Sequence, residues 1–169
     1  MARVIVLNGP PGSGKSTLAR MYVDEHPLAL NLDVDQIRSL IGGWRDAAES
    51  GLLARAIALA AARTHLVAGH DVVIPQFLGR VAFLEQVELL AREVGADFHE
   101  IVLLDSKANS LRRFVSRGDA TKAHVGPAEL SVMYDRLLSV IAVRPGAQVV
   151  PTVAGQVERA YQDFLDVLS

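Results

Sequence analysis

The chain has no cysteine, which excludes disulfides and thiolate metal sites and suits a reducing compartment. Rings are scarce: aromatic residues make up 5% of the 169, with one Trp, three Tyr and five Phe. A core this poor in rings and 50% apolar overall is an aliphatic one, as α/β domains build. Charge of one sign is missing too. A net charge of −2 and a pI near 6.2 exclude a generally basic nucleic-acid-binding surface, though not a local basic site. No apolar run reaches membrane-spanning length, and there is no internal repeat, low-complexity tract or Gly/Ser linker. The N-terminal run Arg3–Leu7 is only five residues and leads straight into a glycine-rich stretch, so it does not read as a signal peptide. Five histidines, His26, His65, His70, His99 and His124, lack zinc-ligand spacing. The expectation is a soluble, cytoplasmic protein without a membrane partner. At 169 residues the chain suits one domain that buries about 70% of its unfolded surface.

What the chain does contain is Gly9-Pro10-Pro11-Gly12-Ser13-Gly14-Lys15-Ser16-Thr17, a complete G-x-x-x-x-G-K-[ST] P-loop. The apolar run before it suits a buried strand, and Leu18, Ala19, Met21 and Tyr22 after it recur at helical spacing. In that context the glycines let backbone amides turn onto phosphate oxygens, and the helix N-terminus adds a favourable dipole. Lys15 reaches β- and γ-phosphates, and the Ser16 hydroxyl suits Mg²⁺. The bland reading, a glycine turn between a strand and a helix, explains the pattern less completely. A nucleoside triphosphate, with ATP as the default, is the expected ligand of residues 9–17.

Strand and helix patterns then alternate. Strands are predicted at 3–7, 28–32, 71–74, 98–104 and 148–152. Helices are predicted after the P-loop, through about 41, and over 51–68, 80–94, 107–117, 127–142 and 155–168. Gly95 reads as a C-cap and Pro127 as a first-turn residue. Five apolar strands separated by helices predict a three-layer α/β fold, a five-stranded parallel sheet covered on both faces. The P-loop would lie at its carboxyl edge. Residues 118–126 are polar and fit neither element, so a lid is expected around 112–126 of a single domain spanning 1–169.

A second constellation, Asn31-Leu32-Asp33-Val34-Asp35-Gln36-Ile37-Arg38, follows the second predicted strand on the same edge. Phosphoryl transfer needs a carboxylate to take the acceptor's proton and cations to hold the transferring group. Asp35 is the candidate base, Asp33 a candidate for Mg²⁺ through water, and Arg38 a cation three residues beyond Asp35. The alternative is a capping carboxylate paired with Arg38. Arg113 and Arg117 share one helix face and read either as cations that reach the transition state or as helix C-terminal charges. Arg112 is a candidate for stacking on adenine, and Thr152 for approaching it. Asp105-Ser106 reads as an N-cap. Trp44, after two glycines, either covers an acceptor or belongs to the core.

The P-loop with Asp35 and Arg38 resembles the 5′-hydroxyl polynucleotide kinases, and Arg113, Arg117-Gly118 and Met133-Tyr134 look like that family's lid and following helix. Val4–Gly9 and Val73-Ile74 with Phe77-Leu78-Gly79 resemble small antibiotic phosphotransferases of the chloramphenicol type. Both resemblances imply the adenylate-kinase-like P-loop fold, ATP with Mg²⁺, and an aspartate base that falls on Asp35. The first implies that Arg113 and Arg117 grip the β/γ-phosphates. One departure stands out: where these families carry an acidic residue after strand three, this chain has Pro75-Gln76. That leaves Asp33 to substitute near Mg²⁺ and Gln76 to hydrogen-bond an acceptor hydroxyl, or simply to turn the chain. The expected function is a kinase that moves the γ-phosphate of ATP to a hydroxyl, on a small molecule rather than long nucleic acid. A polynucleotide acceptor would need a basic track from Lys107 to Lys122. A small acceptor would need Trp44, Phe77 and Leu78 around an apolar pocket. A nucleotide-gated switch would need no acceptor.

Overall fold

Five aliphatic segments form the strands β1 (Arg3–Asn8), β2 (Leu30–Asn31), β3 (Val72–Pro75), β4 (Asp97–Leu104) and β5 (Gln148–Pro151). The computed structural model describes residues 1–117 and 125–169, with Arg117 described by its backbone alone. All pairings are parallel and the order is β2-β3-β1-β4-β5. A central strand buried on both faces cannot alternate polar and apolar residues. Accordingly Val4, Ile5, Val6 and Leu7 of β1 are all fully buried, with successive side chains entering opposite layers.

Among the described residues the helices are α1 (Lys15–Glu25), α2 (Val34–Ser39), α3 (Ser50–Val67), α4 (Val81–Val94), α5 (Lys107–Arg117), α6 (Pro127–Val143) and α7 (Val157–Leu168). Val4, Val6, Val72 and Ile74 pack with Ala54, Ala58, Ala62 and Leu66 of α3, Leu84, Val87 and Leu90 of α4, and Val140 of α6. Ile5, Leu7, Val73, Ile101 and Leu103 pack on the other face with Leu18 and Tyr22 of α1 and Tyr161 and Phe164 of α7. Each such aliphatic side chain contributes about 1.5–3 kcal/mol by leaving water. The alanines spaced four apart on α3 let that helix lie close to the sheet. Gly95, at φ 69°, ends α4 as expected, its amide bonded to Ala91 O and Arg92 O.

The amino edge of the sheet is fastened by charge. The backbone amide of Arg3 donates to Asp71 Oδ1 at 2.8 Å and Tyr22 Oη to Asp71 Oδ2 at 2.6 Å. Burial pushes the Asp71 carboxyl up, but these donors and the Arg3 guanidinium outweigh it and hold the group below its ordinary range. Arg144 bridges Glu88 and Glu100 at 2.9 and 2.7 Å.

Two expectations need correction here. The second strand is shorter than 28–32, because Ala29 N bonds to His26 O in a turn and Leu28 sits at φ 68°, outside any strand conformation. Of the lid expected around 112–126, residues 112–117 are the last turns of α5 and 118–124 lie outside the described residues. Among the described residues, no helix is long and apolar enough to cross a membrane.

Candidate active site

At the carboxyl end of β1 the chain makes three tight departures from ordinary backbone, each at a glycine. Gly9, Gly12 and Gly14 have φ of 153°, 79° and 97°. Gly9 is also a point of contact: a Cβ there would come 2.6 Å from Ser13 Oγ and 2.7 Å from Leu103 O. Ser13 N closes the turn on Pro10 O at 3.1 Å, and Leu18 N reaches Gly14 O at 3.0 Å as α1 begins. Ser16 and Thr17 are exposed on its first turn. Lys15 lies back over the loop, Nζ donating to Gly9 O at 2.8 Å and Pro10 O at 2.9 Å.

Asn8 is the residue that ties this loop to the rest of the edge, and the sequence reading gave it no role. It is fully buried. Its Oδ1 accepts from Gly9 N and Leu78 N, both at 2.8 Å, while Nδ2 donates to Leu78 O at 3.0 Å. A buried amide must find partners on both ends, and a polar residue closing an otherwise apolar strand was the signal that could have found it. The same bonds hold Leu78 in the core at 3% exposure, so Leu78 cannot wall an acceptor pocket as expected. Phe77 lies against Gly79 instead.

On one flank, Asp33 caps α2: Oδ1 accepts from Asp35 N at 2.9 Å and Gln36 N at 3.3 Å. Burial pushes its carboxyl above the ordinary value, Asp35 adds to this, and the two amides and Lys15 pull against it. Asp35 is exposed, and Gln76 Nε2 approaches its Oδ1 at 3.4 Å. Gln76 N in turn bonds to Leu7 O at 3.0 Å, extending β3 beside the end of β1. The Asp35 carboxylate is thereby tethered to the strand that carries the P-loop.

Arg38 does not pair with Asp35, as the three-residue spacing suggested. Its Nε donates to Ser50 Oγ at 2.8 Å, and Ser50 Oγ donates to Trp44 O at 2.8 Å. The Trp44 ring lies 5.5 Å from the Arg38 guanidinium carbon and 4.8 Å from that of Arg45. Trp44 is half-buried between cations, which corrects the core reading.

On the other flank Arg113 forms an ion pair with Asp105 and donates to Thr152 O at 3.3 Å. Its guanidinium is thus committed to a carboxylate, a different setting from the phosphate grip that the resemblance implied. Asp105 also accepts from Ser106 N at 2.6 Å and Asn109 Nδ2 at 2.9 Å. Ser106 Oγ, not Asp105, takes the helical amide of Asn109 at 3.1 Å. Arg112 is exposed and bonded to Asn109 Oδ1. Asp105, Asn109, Arg112 and Arg113, with Ser116, Val153 and Ala154, line a cavity of 310 Å³. Between it and the P-loop, Ser13, Ser110, Arg113 and Thr152 line a narrower gap. There Ser13 Oγ, Arg113 Nε and Thr152 Oγ1 are buried with no partner among the described residues.

Arg117 ends α5, and Lys122 and His124 lie outside the described residues. Lys107, the first residue of the supposed basic track, is paired with Asp135 at 2.9 Å. A further cavity of 310 Å³, around Glu100 and Arg144, lies at the other edge of the sheet.

A family model described as AAA domain matches residues 4–138. No curated protein matches the chain. Among solved structures, a chain of the Pnkp1/Rnl/Hen1 RNA repair complex superposes with a TM-score of 0.73 at 19% identity, covering 84% of this chain and 46% of that one. The Deinococcus radiodurans tunicamycin resistance protein gives 0.64 at 18% identity, covering 99% and 96%. The Mycobacterium tuberculosis APS kinase CysC, in complex with AMPPNP and APS, gives 0.64 at 16% identity over 99% and 97%. At such identities the likeness is one of fold, and the fold is that of the P-loop kinases.

Proposed function

The chain belongs to the AAA-domain family, and from that premise we propose that it transfers the γ-phosphate of ATP to a hydroxyl of a small-molecule or nucleoside-type acceptor. The observation that carries the proposal is the tether just described: Asp35 to Gln76 at 3.4 Å, and Gln76 N to Leu7 O at 3.0 Å. It keeps an exposed carboxylate beside the phosphate loop, where a hydroxyl between them would meet both.

In this reading the amides of residues 12–16 and the α1 N-terminus hold the phosphates. Lys15 exchanges Gly9 O and Pro10 O for β- and γ-phosphate oxygens. The acceptor oxygen bonds to the γ-phosphorus as the bridge to the β-phosphate breaks; ADP leaves and Asp35 takes the hydroxyl proton. Arg38 orients the acceptor, and Arg117 supplies positive charge to the phosphates from the lid side. The adenine lies in the 310 Å³ cavity beside Asp105, against Arg112, with Arg113 as part of its wall.

Mg²⁺ fits the donors available. Ser16 presents a hydroxyl on the exposed first turn of α1. Asp33 uses only Oδ1 for capping, which leaves Oδ2 for a metal-bound water. The ion would neutralise phosphate charge there.

The apolar pocket of Trp44, Phe77 and Leu78 is not formed, since Leu78 is buried; what favours a small acceptor over long nucleic acid is that Lys107 is spent on Asp135 and the chain carries net −2. A labelled-ATP transfer screen tests this, with 5′-hydroxyl oligonucleotides and hydroxylated small molecules in parallel. Label on a small molecule is the expected outcome. Label on oligonucleotide alone overturns the acceptor class, and slow hydrolysis with no labelled product overturns the kinase reading.

A further inference from the structure

Ser50 received no role from the sequence, and its environment is unlike that of the other serines. It opens α3, is fully buried, and does not cap its own helix. A buried hydroxyl has one proton to give and lone pairs to offer. Here it gives the proton to Trp44 O and accepts from Arg38 Nε, each at 2.8 Å. Trp44 adds a second restraint by laying its ring 5.5 Å from the guanidinium carbon. Arg38 is therefore held at one nitrogen and against one ring, by neutral groups only. Its two terminal amino groups make no hydrogen bond or ion pair among the described residues.

We propose that Ser50 is a positioning residue for Arg38: with Trp44 it fixes the guanidinium so that its terminal amino groups meet the acceptor already ordered. The inference rests on the reading of Arg38 as the acceptor-side cation. The physical gain is pre-organisation. A free arginine loses rotamer freedom when it binds, and that loss weakens the complex. A carboxylate could order Arg38 equally well but would neutralise the charge that the acceptor must use. A serine hydroxyl orders it and leaves the charge intact.

Trp44 is the only tryptophan, so its emission reports this arrangement in the free protein. Acrylamide quenching is measured for wild type, Ser50→Ala, Arg38→Ala and the double variant. Each single variant is expected to raise the quenching constant about twofold as the ring loses the Arg38 face of its cover, Arg45 remaining 4.8 Å from it on its own side. The double variant is expected to rise no further, because one removes what the other needs. Arg38→Lys keeps the charge without Nε and should match Ser50→Ala, which keeps the test open should the buried alanine fail to fold.

In the transfer assay, with a 5′-hydroxyl oligonucleotide or the hydroxylated small molecule that the screen returns, Ser50→Ala should raise acceptor KM about tenfold. The Kd for ATP should not move, and in the Arg38→Ala background Ser50→Ala should have no effect on acceptor KM. Additive quenching, wild-type behaviour of Arg38→Lys, or a KM effect that persists without Arg38 would each overturn the proposal, reducing Ser50 to a support for the 40–49 loop. A wild-type protein that transfers to nothing would sink the kinase reading instead, and the quenching cycle would still judge the clamp.

Discussion

On one flank of the P-loop Arg113 lies in an ion pair with Asp105; on the other Arg38 has a serine hydroxyl and an indole ring for partners. Both arginines are ordered, but only the first is neutralised. Arg113 joins the β4–α5 turn to the β5–α7 turn through Asp105 and Thr152 O, so it holds two loops in register at the mouth of a cavity. Arg38 joins α2 to the start of α3 while keeping its charge uncompensated. Pairing a cation with a carboxylate suits a wall; restraining it with neutral groups suits a residue that must still bind an anion or orient a hydroxyl.

The largest expected effect separates the flanks by function. Asp35→Asn removes the proton acceptor and leaves the P-loop, Asp105 and Arg113 untouched. Transfer should fall by about 10²–10⁴-fold, the usual contribution of a general base, while the Kd for ATP stays within twofold. Single-turnover transfer and a nucleotide-binding titration on the same sample decide it. Full activity would remove Asp35 from the base role, and lost nucleotide binding would mean that the two flanks are not separable.

Stability separates them in the opposite sense. Arg113→Ala removes the counter-ion of a carboxylate whose side chain is 13% exposed and that keeps only the Ser106 amide and Asn109 as donors; losing a charged hydrogen bond at such a site costs about 1.5–3 kcal/mol. Arg38→Ala strands only a hydroxyl that still donates to Trp44 O, so about 0.5–1.5 kcal/mol is expected. Urea unfolding of the two variants checks the order. The activity ranking should invert, with Arg38→Ala losing more transfer than its small stability deficit explains. If Arg38→Ala proved the less stable of the two, the contrast between a wall residue and a working residue would fail.

The parts of this comparison that were legible in the sequence share a physical reason. Phosphate binding forces glycines at fixed spacing, and Gly12 and Gly14 indeed adopt φ of 79° and 97°. A sheet covered on both faces forces unbroken apolar runs such as Val4–Leu7, so strand number and order of elements could be read. Asp35 was singled out as a candidate because it follows a strand on the edge where the P-loop must lie. Partners were less legible. Ser50 is twelve residues from Arg38, across an irregular stretch with no periodicity to read. The carboxylate partner considered for Arg38 was therefore a near one, Asp33 or Asp35, although α2 is only six residues long and Arg38 reaches Ser50 at the start of α3. Asn8 lay just past the predicted strand 3–7 with no partner to read, and only its hydrogen bonds reveal that it pins Leu78. Asp105 and Thr152 are 47 positions apart and meet only because β4 and β5 are neighbours, with Leu104 opposite Pro151.

The smallest expected effect is in pH. Burial pulls the Asp105 carboxyl upward, but Asn109, the Ser106 amide and Arg113 outweigh it and hold the group below its ordinary value. A depressed carboxylate contributes stability that is complete above its unfolded value, about 3.9, and is lost as pH falls through the lower folded value. The deficit of Asp105→Asn against wild type should therefore be constant from about pH 6 to 5 and shrink below about pH 4. Ser50, Arg38 and Trp44 include no acid, so the deficit of Ser50→Ala should stay level over the same range. Thermal melts of the three proteins from pH 6 to 3 make the comparison. A Ser50→Ala deficit that closes in acid alongside that of Asp105→Asn would show that a carboxylate also holds Arg38, and the two flanks would then differ only in degree.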